Sequence, residues 1–233
     1  MLSIVIPTLN EQNYLPKLLE SIKKQSYKDY EIIVADANSS DNTRQIARKL
    51  GCKLTGSGGL PAVGRNNGAK IAKGDVLFFI DADVILDKDF LEKSLLEFES
   101  RKLGVAGCFI RPIGNNILDK MFFGIFNFWI FSTQLFYPNA SGSGIFCRRK
   151  LHEEIKGFDE TIKLSEDMDY VKRAGKIAKF RILMKAKSHV AMRRFEKEGR
   201  LKVGLKLLLS VFHRLIFGEI RSDVFKYNLK YKK

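Results

Sequence analysis

Short, nearly unbroken apolar runs that end in polar residues, separated by stretches of helical spacing, constrain this chain more than any other feature. Leu2-Ser3-Ile4-Val5-Ile6 is stopped by Pro7, Glu31-Ile32-Ile33-Val34-Ala35 runs into Asp36, and Phe78-Phe79-Ile80 runs into Asp81-Ala82-Asp83. Runs of this length without polar alternation read as strands buried on both faces. Between them, Leu15, Leu18, Leu19 and Ile22 recur at helical spacing over about Tyr14 to Gln25, with Pro16 in the first turn. A second helix spans Thr43 to Leu50, closed by Gly51, and a short strand near Lys53-Leu54-Thr55 precedes a third helix from Pro61. Strand, helix, strand, helix in this order predicts an α/β fold with a mostly parallel central sheet and crossover helices.

In such a sheet the ligand crevice lies beyond the carboxyl ends of the strands. The polar residues fall there: Thr8 to Glu11 after the first strand, Asp36 after the second, Asp81 and Asp83 after the fourth. Two carboxylates one residue apart at a strand end are suited to one divalent cation and the phosphates it carries. The plain alternative is a polar turn whose acids cap the next helix. Gly56-Ser57-Gly58-Gly59 lacks a following Lys-Ser or Lys-Thr and reads as a connector rather than a phosphate loop.

Asp87 to Glu99 reads as a helix and Val105 to Ile110 as a strand. The segment from Ile117 to Tyr137 is dense in Phe, and no charged residue occurs from Met121 to Cys147. Asn127, Ser132, Thr133, Gln134 and Pro138 keep it short of the ~20 apolar residues of a spanning helix. It reads as an interfacial aromatic helix or a hydrophobic flap facing substrate, against the ordinary alternative of core packing. Ile145 to Cys147 reads as a strand and Lys150 to Ile155 as a small helix. Ser165-Glu166-Asp167-Met168-Asp169 opens another helix, with Ser165 as its expected cap.

The net charge is +15, and from Lys179 to Lys233 there are 16 Lys and Arg against 4 Asp and Glu. That excess points to an anionic partner, and an amphipathic basic helix from about Leu201 to Phe217 is of a kind that lies on anionic membranes. Nucleic acid is not expected, because no nucleic-acid module is present and acids at strand ends would repel a phosphate backbone. Three widely spaced cysteines, Cys52, Cys108 and Cys147, argue against a disulfide framework or zinc site, and the N-terminus has no secretory pattern. A cytoplasmic protein, peripheral at the membrane, is expected.

With these pieces in order, the chain resembles the family 2 glycosyltransferases. Ile4-Val5-Ile6-Pro7-Thr8-Leu9-Asn10-Glu11 is similar to the family's opening strand and loop, and Ile33 through Thr43 is similar to its base-binding loop. Gly64-Arg65-Asn66-Asn67-Gly68 resembles the element near the diphosphate, and Asp81-Ala82-Asp83 the metal motif. Glu166-Asp167 falls where the family carries its catalytic pair, and Arg193-Arg194-Phe195 resembles the basic motif that closes over the diphosphate. The match runs from about Leu2 to Gly199. Two positions depart from the pattern: Ala37 stands for an Asp and Asn38 for a Gly in the base loop. Ala191 and Phe195 stand where processive polymerases carry Gln and Trp, so processive polymerisation is not expected.

The resemblance implies a GT-A fold and an inverting hexosyltransferase that moves a sugar from a nucleotide-diphosphate donor to a hydroxyl acceptor. It implies a domain over residues 1–199, with a nucleotide-sugar half to 110 and an acceptor half from 111, followed by a basic extension over 200–233. Asp167 would be the general base, with Glu166 positioning base or acceptor. Asp83, helped by Asp81, would hold Mg²⁺ or Mn²⁺. Pro7, Thr8, Glu11, Asp36, Arg65, Asp81, Ala82, Arg193 and Arg194 would bind the donor, and His189 is a further candidate metal ligand. The aromatic segment and the basic tail together point to a lipid-linked or membrane-presented acceptor. A nucleotidyltransferase, which also pairs carboxylates around metal, and a basic nucleic-acid-binding protein are the alternatives.

Overall fold

The computed structural model describes residues 1–225. In chain order the elements are β1 (Leu2–Thr8), α1 (Leu15–Lys23), β2 (Tyr30–Asp36), α2 (Thr43–Lys49), β3 (Lys53–Gly56), α3 (Pro61–Ile71), β4 (Val76–Phe79), β5 (Val84–Leu86) and α4 (Phe90–Ser100). There follow β6 (Val105–Pro112), α5 (Ile117–Thr133), β7 (Ile145–Arg148), α6 (Arg149–Glu154), α7 (Glu166–Ile177), β8 (Phe180–Val190), α8 (Arg193–Glu198) and α9 (Arg200–Phe217). The part of the basic extension beyond residue 225 lies outside the described residues.

The strands form one sheet in the order β3-β2-β1-β4-β7-β6-β8-β5. β3, β2, β1 and β4 run parallel, as does β6 with β8, while β7 is antiparallel to β4 and β6, and β5 is antiparallel to β8. The expected parallel, doubly covered sheet is therefore present in the first third of the chain, and β7 reverses it. The fully apolar strand runs are explained by layers on both faces. One face packs Leu15, Leu18 and Ile22 of α1 and Phe90 and Phe98 of α4 against Ile4, Ile6 and Phe78. The other packs α3, α6 and α7 against Val5, Ile33, Leu77 and Phe79, with Tyr170 at its centre. Phe158 stacks on Tyr170 at 3.9 Å, and Phe79 meets both rings edge-on.

α3 lies unusually close to the sheet because its inner face is small: a Cβ on Gly68 would collide with Val5. That approach buries two polar residues of α3, Arg65 and Asn66. Asn66 exchanges two hydrogen bonds with the backbone of Phe158, at 2.8 and 2.9 Å, and so ties the loop before α7 to the sheet. α9 docks on the body through Val203, Ser210 and Arg214, and Leu164 bridges to Ile220 beyond it.

Candidate active site

The carboxyl ends of β1, β2 and β4 open into a cavity of about 330 Å³. Pro7, Thr8, Glu11, Arg65, Asp81, Ala82, Asp83, Glu166, Asp167, Arg193 and Arg194 all line it. Of the residues expected to bind the donor, Asp36 alone does not reach its wall. Its buried carboxylate accepts from Thr8 Oγ1 at 2.8 Å and from the Ser39 amide and hydroxyl at 2.8 and 2.6 Å, just behind Ala37, which does line the cavity. Asn38 fills the place of a glycine because it takes the left-handed conformation, at φ 61°, that Asn tolerates better than most side chains.

Two arginines organise the acids. The Arg65 side chain, 3% exposed, gives Asp81 Oδ1 a bond of 2.8 Å and Glu166 Oε1 one of 2.6 Å, tying α3 to the turn after β4 and, across 101 residues of sequence, to α7. Burial alone would pull its pKa down, but the carboxylates of Asp81, Glu166 and Asp167 outweigh burial and raise it, so it stays charged. Arg193 grips Glu11 through both carboxylate oxygens, at 2.6 and 2.8 Å, reaches Asp83 Oδ2 at 3.2 Å and lies 4.7 Å over the Tyr14 ring. Burial pushes the Glu11 carboxyl up to about 7 against the pull of Arg193, with Asp83 and Asp81 adding to the rise. Burial likewise raises Asp83, again against Arg193.

Asp167 sits in the first turn of α7. Its Oδ2 accepts from the Gly142 amide at 2.6 Å and its Oδ1 from the Met168 amide at 2.8 Å, which fixes the orientation of the carboxylate. Burial and the neighbouring Glu166 raise its pKa, opposed by Arg65 and the two amides. Ser165 does not cap this helix as expected: it stands at φ 65° with no side-chain cap bond, and its carbonyl instead receives the Asp169 amide.

His189 is not with the carboxylates. Its Nε2 pairs with Asp87 Oδ1 at 2.7 Å, and both line a separate groove. Among the described residues no group of three His, Cys, Asp or Glu side chains is gathered as a metal site. Asp81 and Asp83 nonetheless fit a hard cation that takes oxygen donors and completes its shell with phosphate oxygens and water.

The far wall is apolar. Phe122, Phe123 and Phe126 of α5 face the cavity with Leu207 of α9, and Phe195 packs against Phe122 and Phe123. The aromatic segment is thus one helix with two roles: an inner face on the site and an outer face, including Ile125 and Phe128, left exposed. The sequence assigns no role to Gly142 or Tyr14, and it shows Asn66 only as part of the Arg65 motif, not as the tie to Phe158. Gly142 had a visible signal in Ser141-Gly142-Ser143-Gly144, whose glycines permit close approach: a Cβ on Gly142 would collide with the Arg65 guanidinium.

Residues 3–155 match the sequence pattern of glycosyl transferase family 2. The chain belongs to that family. Among curated relatives of this glycosyl transferase family 2 member is the dolichyl N-acetyl-alpha-D-glucosaminyl phosphate 3-beta-D-2,3-diacetamido-2,3-dideoxy-beta-D-glucuronosyltransferase of Methanococcus voltae. It is 27% identical over 192 residues, covering 72% of this chain and 60% of that one. Of the other first relatives the chain spans a smaller share, such as 29% of the 4,4'-diaponeurosporenoate glycosyltransferase of Staphylococcus haemolyticus, with 35% identity over 109 residues and 43% of this chain. Similar solved structures share the GT-A fold. The mannosyltransferase PcManGT of Pyrobaculum calidifontis, with GDP-Man and Mn²⁺, superposes with a TM-score of 0.73 at 17% identity over 97% of this chain and 66% of that one. S. aureus TarS with UDP-GlcNAc gives 0.67 at 20% identity over 98% and 76%.

Proposed function

We propose that this family 2 member is an inverting, metal-dependent hexosyltransferase that moves a sugar from a nucleotide-diphosphate donor to a hydroxyl acceptor. The observation that carries the reading is the meeting of Asp83 and Asp167, from opposite halves of the chain, on the walls of one cavity. Asp83 and Asp81 would hold Mg²⁺ or Mn²⁺, and such an ion, when bound, offsets the charge that develops on the departing diphosphate. PcManGT, a structural neighbour, is described with GDP-Man and Mn²⁺, which supports the same donor chemistry here.

Asp167 does the base work. Its carboxylate accepts the acceptor hydroxyl proton as that oxygen bonds to the anomeric carbon; the bond from that carbon to the diphosphate oxygen breaks, and its electron pair leaves with the nucleoside diphosphate. Attack from the face opposite the leaving group inverts the anomeric centre. The raised pKa of Asp167 brings it nearer neutral pH, where a general base is more effective. Glu166, held by Arg65, positions the acceptor side, and Arg193 and Arg194 close on the diphosphate. Pro7, Thr8, Glu11, Arg65 and Ala82 shape the donor pocket, and Asp36 holds the base-binding loop closed.

The acceptor we propose is lipid-linked or presented by a membrane. Support comes from the apolar wall of α5 and α9 beside the site, and from the Methanococcus voltae relative, whose name specifies a dolichyl phosphate-linked substrate. No helix among the described residues is long and apolar enough to cross a membrane; the contact we propose is peripheral, through the basic, amphipathic α9 and the exposed face of α5. We place it at the cytoplasmic face, in keeping with three free thiols. The test is a thermal-shift screen of UDP-, GDP- and dTDP-sugars with and without Mn²⁺, followed by turnover with the donor that binds. Stabilisation by nucleoside triphosphates but by no nucleotide sugar would overturn the reading in favour of a nucleotidyltransferase.

A further inference from the structure

Next to the catalytic cavity, with Ile110 and Phe123 lining both, lies a second, larger groove, of about 990 Å³. Its floor is one face of three neighbouring strands. Ile85, His189 and Arg111 stand in one cross-strand row of β5, β8 and β6, and Lys187 and Phe109 in the next. Its opposite wall is α5, through Lys120, Gly124 and Asn127, and Asn127 clamps the helix to Ile110 by two backbone bonds of 2.7 and 3.1 Å.

The charge on these walls is unbalanced. The single lining carboxylate, Asp87, is taken by His189 at 2.7 Å. Arg111, Lys120 and Lys187 have no carboxylate within ion-pair distance among the described residues, and the hydrogen bond of Lys120 goes to Asn115. Cations gathered without counter-charge repel one another, a cost that an anion would remove. Gly124 keeps the groove open. It lies in the middle of a helix, where glycine costs about 1 kcal/mol relative to alanine, and a Cβ there would meet nothing within 4 Å, so helix packing does not require it.

The groove adjoins the outer face of α5, where Ile117, Met121, Ile125 (68% exposed) and Phe128 (72% exposed) form an apolar stripe at helical spacing. α9 runs beside it, with Phe122 against Gly204, and adds Leu205, Leu208 and Phe212 to the exposed apolar surface. A cationic groove flanked by an exposed apolar helix face matches a ligand with an anionic head and an apolar tail.

We infer that this groove is a headgroup site for an anionic phospholipid, seating the α5 and α9 face on the bilayer. Arg111, Lys120 and Lys187 take the phosphate, and the outer stripe of α5 enters the acyl boundary. The inference deepens the peripheral membrane contact proposed above and rests on it, but it does not depend on which sugar is transferred. Because Ile110 and Phe123 line both groove and catalytic cavity, lipid bound in the groove would hold the cavity close to the membrane surface.

The test is co-sedimentation of the full chain with phosphatidylcholine vesicles with and without phosphatidylglycerol, alongside thermal shift with inorganic phosphate. The wild type should prefer the anionic vesicles. Each groove cation removed should weaken that binding about five-fold, so the Arg111→Ala and Lys187→Ala pair should lose about 25-fold. Gly124→Leu, which keeps every charge but fills the groove, should also weaken it. Stabilisation by the donor and Mn²⁺ should be unchanged in every one of these variants, which separates this site from the catalytic one and reports that the variants fold. Wild-type vesicle binding in the double variant would overturn the inference, assigning the contact to other basic residues. So would a protein that transfers sugar yet ignores both vesicles, or one stabilised by inorganic phosphate while indifferent to phosphatidylglycerol.

Discussion

A buried carboxylate is useful as a base only if its proton affinity is tuned and its direction fixed, and Asp167 has both from different sources. Burial and Glu166 raise its pKa, while the amides of Gly142 and Met168 aim it. Asp167→Asn is expected to lower kcat by about 10²–10⁴-fold while leaving donor binding intact, which a turnover assay paired with nucleotide titration checks. Because a raised carboxyl pKa leaves the group protonated over a wider acid range, kcat/KM should fall as pH drops through a value above the ordinary carboxylate range. A pH–rate profile whose acid limb lies at the usual carboxylate value would remove the base assignment. Arg65 carries a heavier structural charge. Arg65→Met strands Asp81 and Glu166 beside each other, and urea denaturation should show a loss of about 3–5 kcal/mol. The acids themselves are readable in the sequence because strand ends and motif order point to them. Gly142 shows only as one glycine of Ser141-Gly142-Ser143-Gly144, which marks a close approach but not the carboxylate its amide serves, and Tyr14 not at all, since it acts through its ring face.

At the scale of elements, the decisive contact is the close seat of α3 on β1. Gly68→Ala drives a methyl into Val5 and should cost about 1–3 kcal/mol, read from the urea midpoint. The β1–β2 junction offers a pH-dependent test. Glu31 accepts from Ser3 Oγ and the Lys73 amide and pairs with Lys53; burial, which alone would raise its pKa, is overcome by these partners, and the value falls to about 2. Its stabilisation is therefore complete above the unfolded value and disappears as pH falls from there toward 2. Glu31→Gln should lose about 2 kcal/mol at neutral pH, after allowance for the exposed Lys53 partner, and the gap to wild type should close as the solution is acidified. Strand and helix identities were legible from apolar periodicity, and the first four strands pair in parallel as expected. The reversal at β7 was not legible, because periodicity records what a strand buries and carries no direction of pairing. Nor could the Phe-rich run disclose which of its rings face the cavity, since an aromatic stripe pointing inward looks the same in sequence as one pointing out.

For the whole molecule, the donor and cation proposed above would bind a site built from both ends of the chain, so their binding should stabilise all of it together. A nucleotide sugar with Mn²⁺ at about 100 times its Kd would add about 2.7 kcal/mol, a rise in Tm of about 5–10 °C, and Asp83→Asn should abolish the increment. The sheet order carries one more consequence. β8 sits between β6 and β5, yet it begins 25 residues after the family match ends at 155. A fragment cut at that point would keep most of the recognisable pattern and lose the middle plank of half its floor. It would leave β6 with a naked margin, β5 without a neighbour, and Arg65 with no Glu166 to hold. Such a fragment should aggregate rather than fold: what makes this protein identifiable is not enough to make it stand.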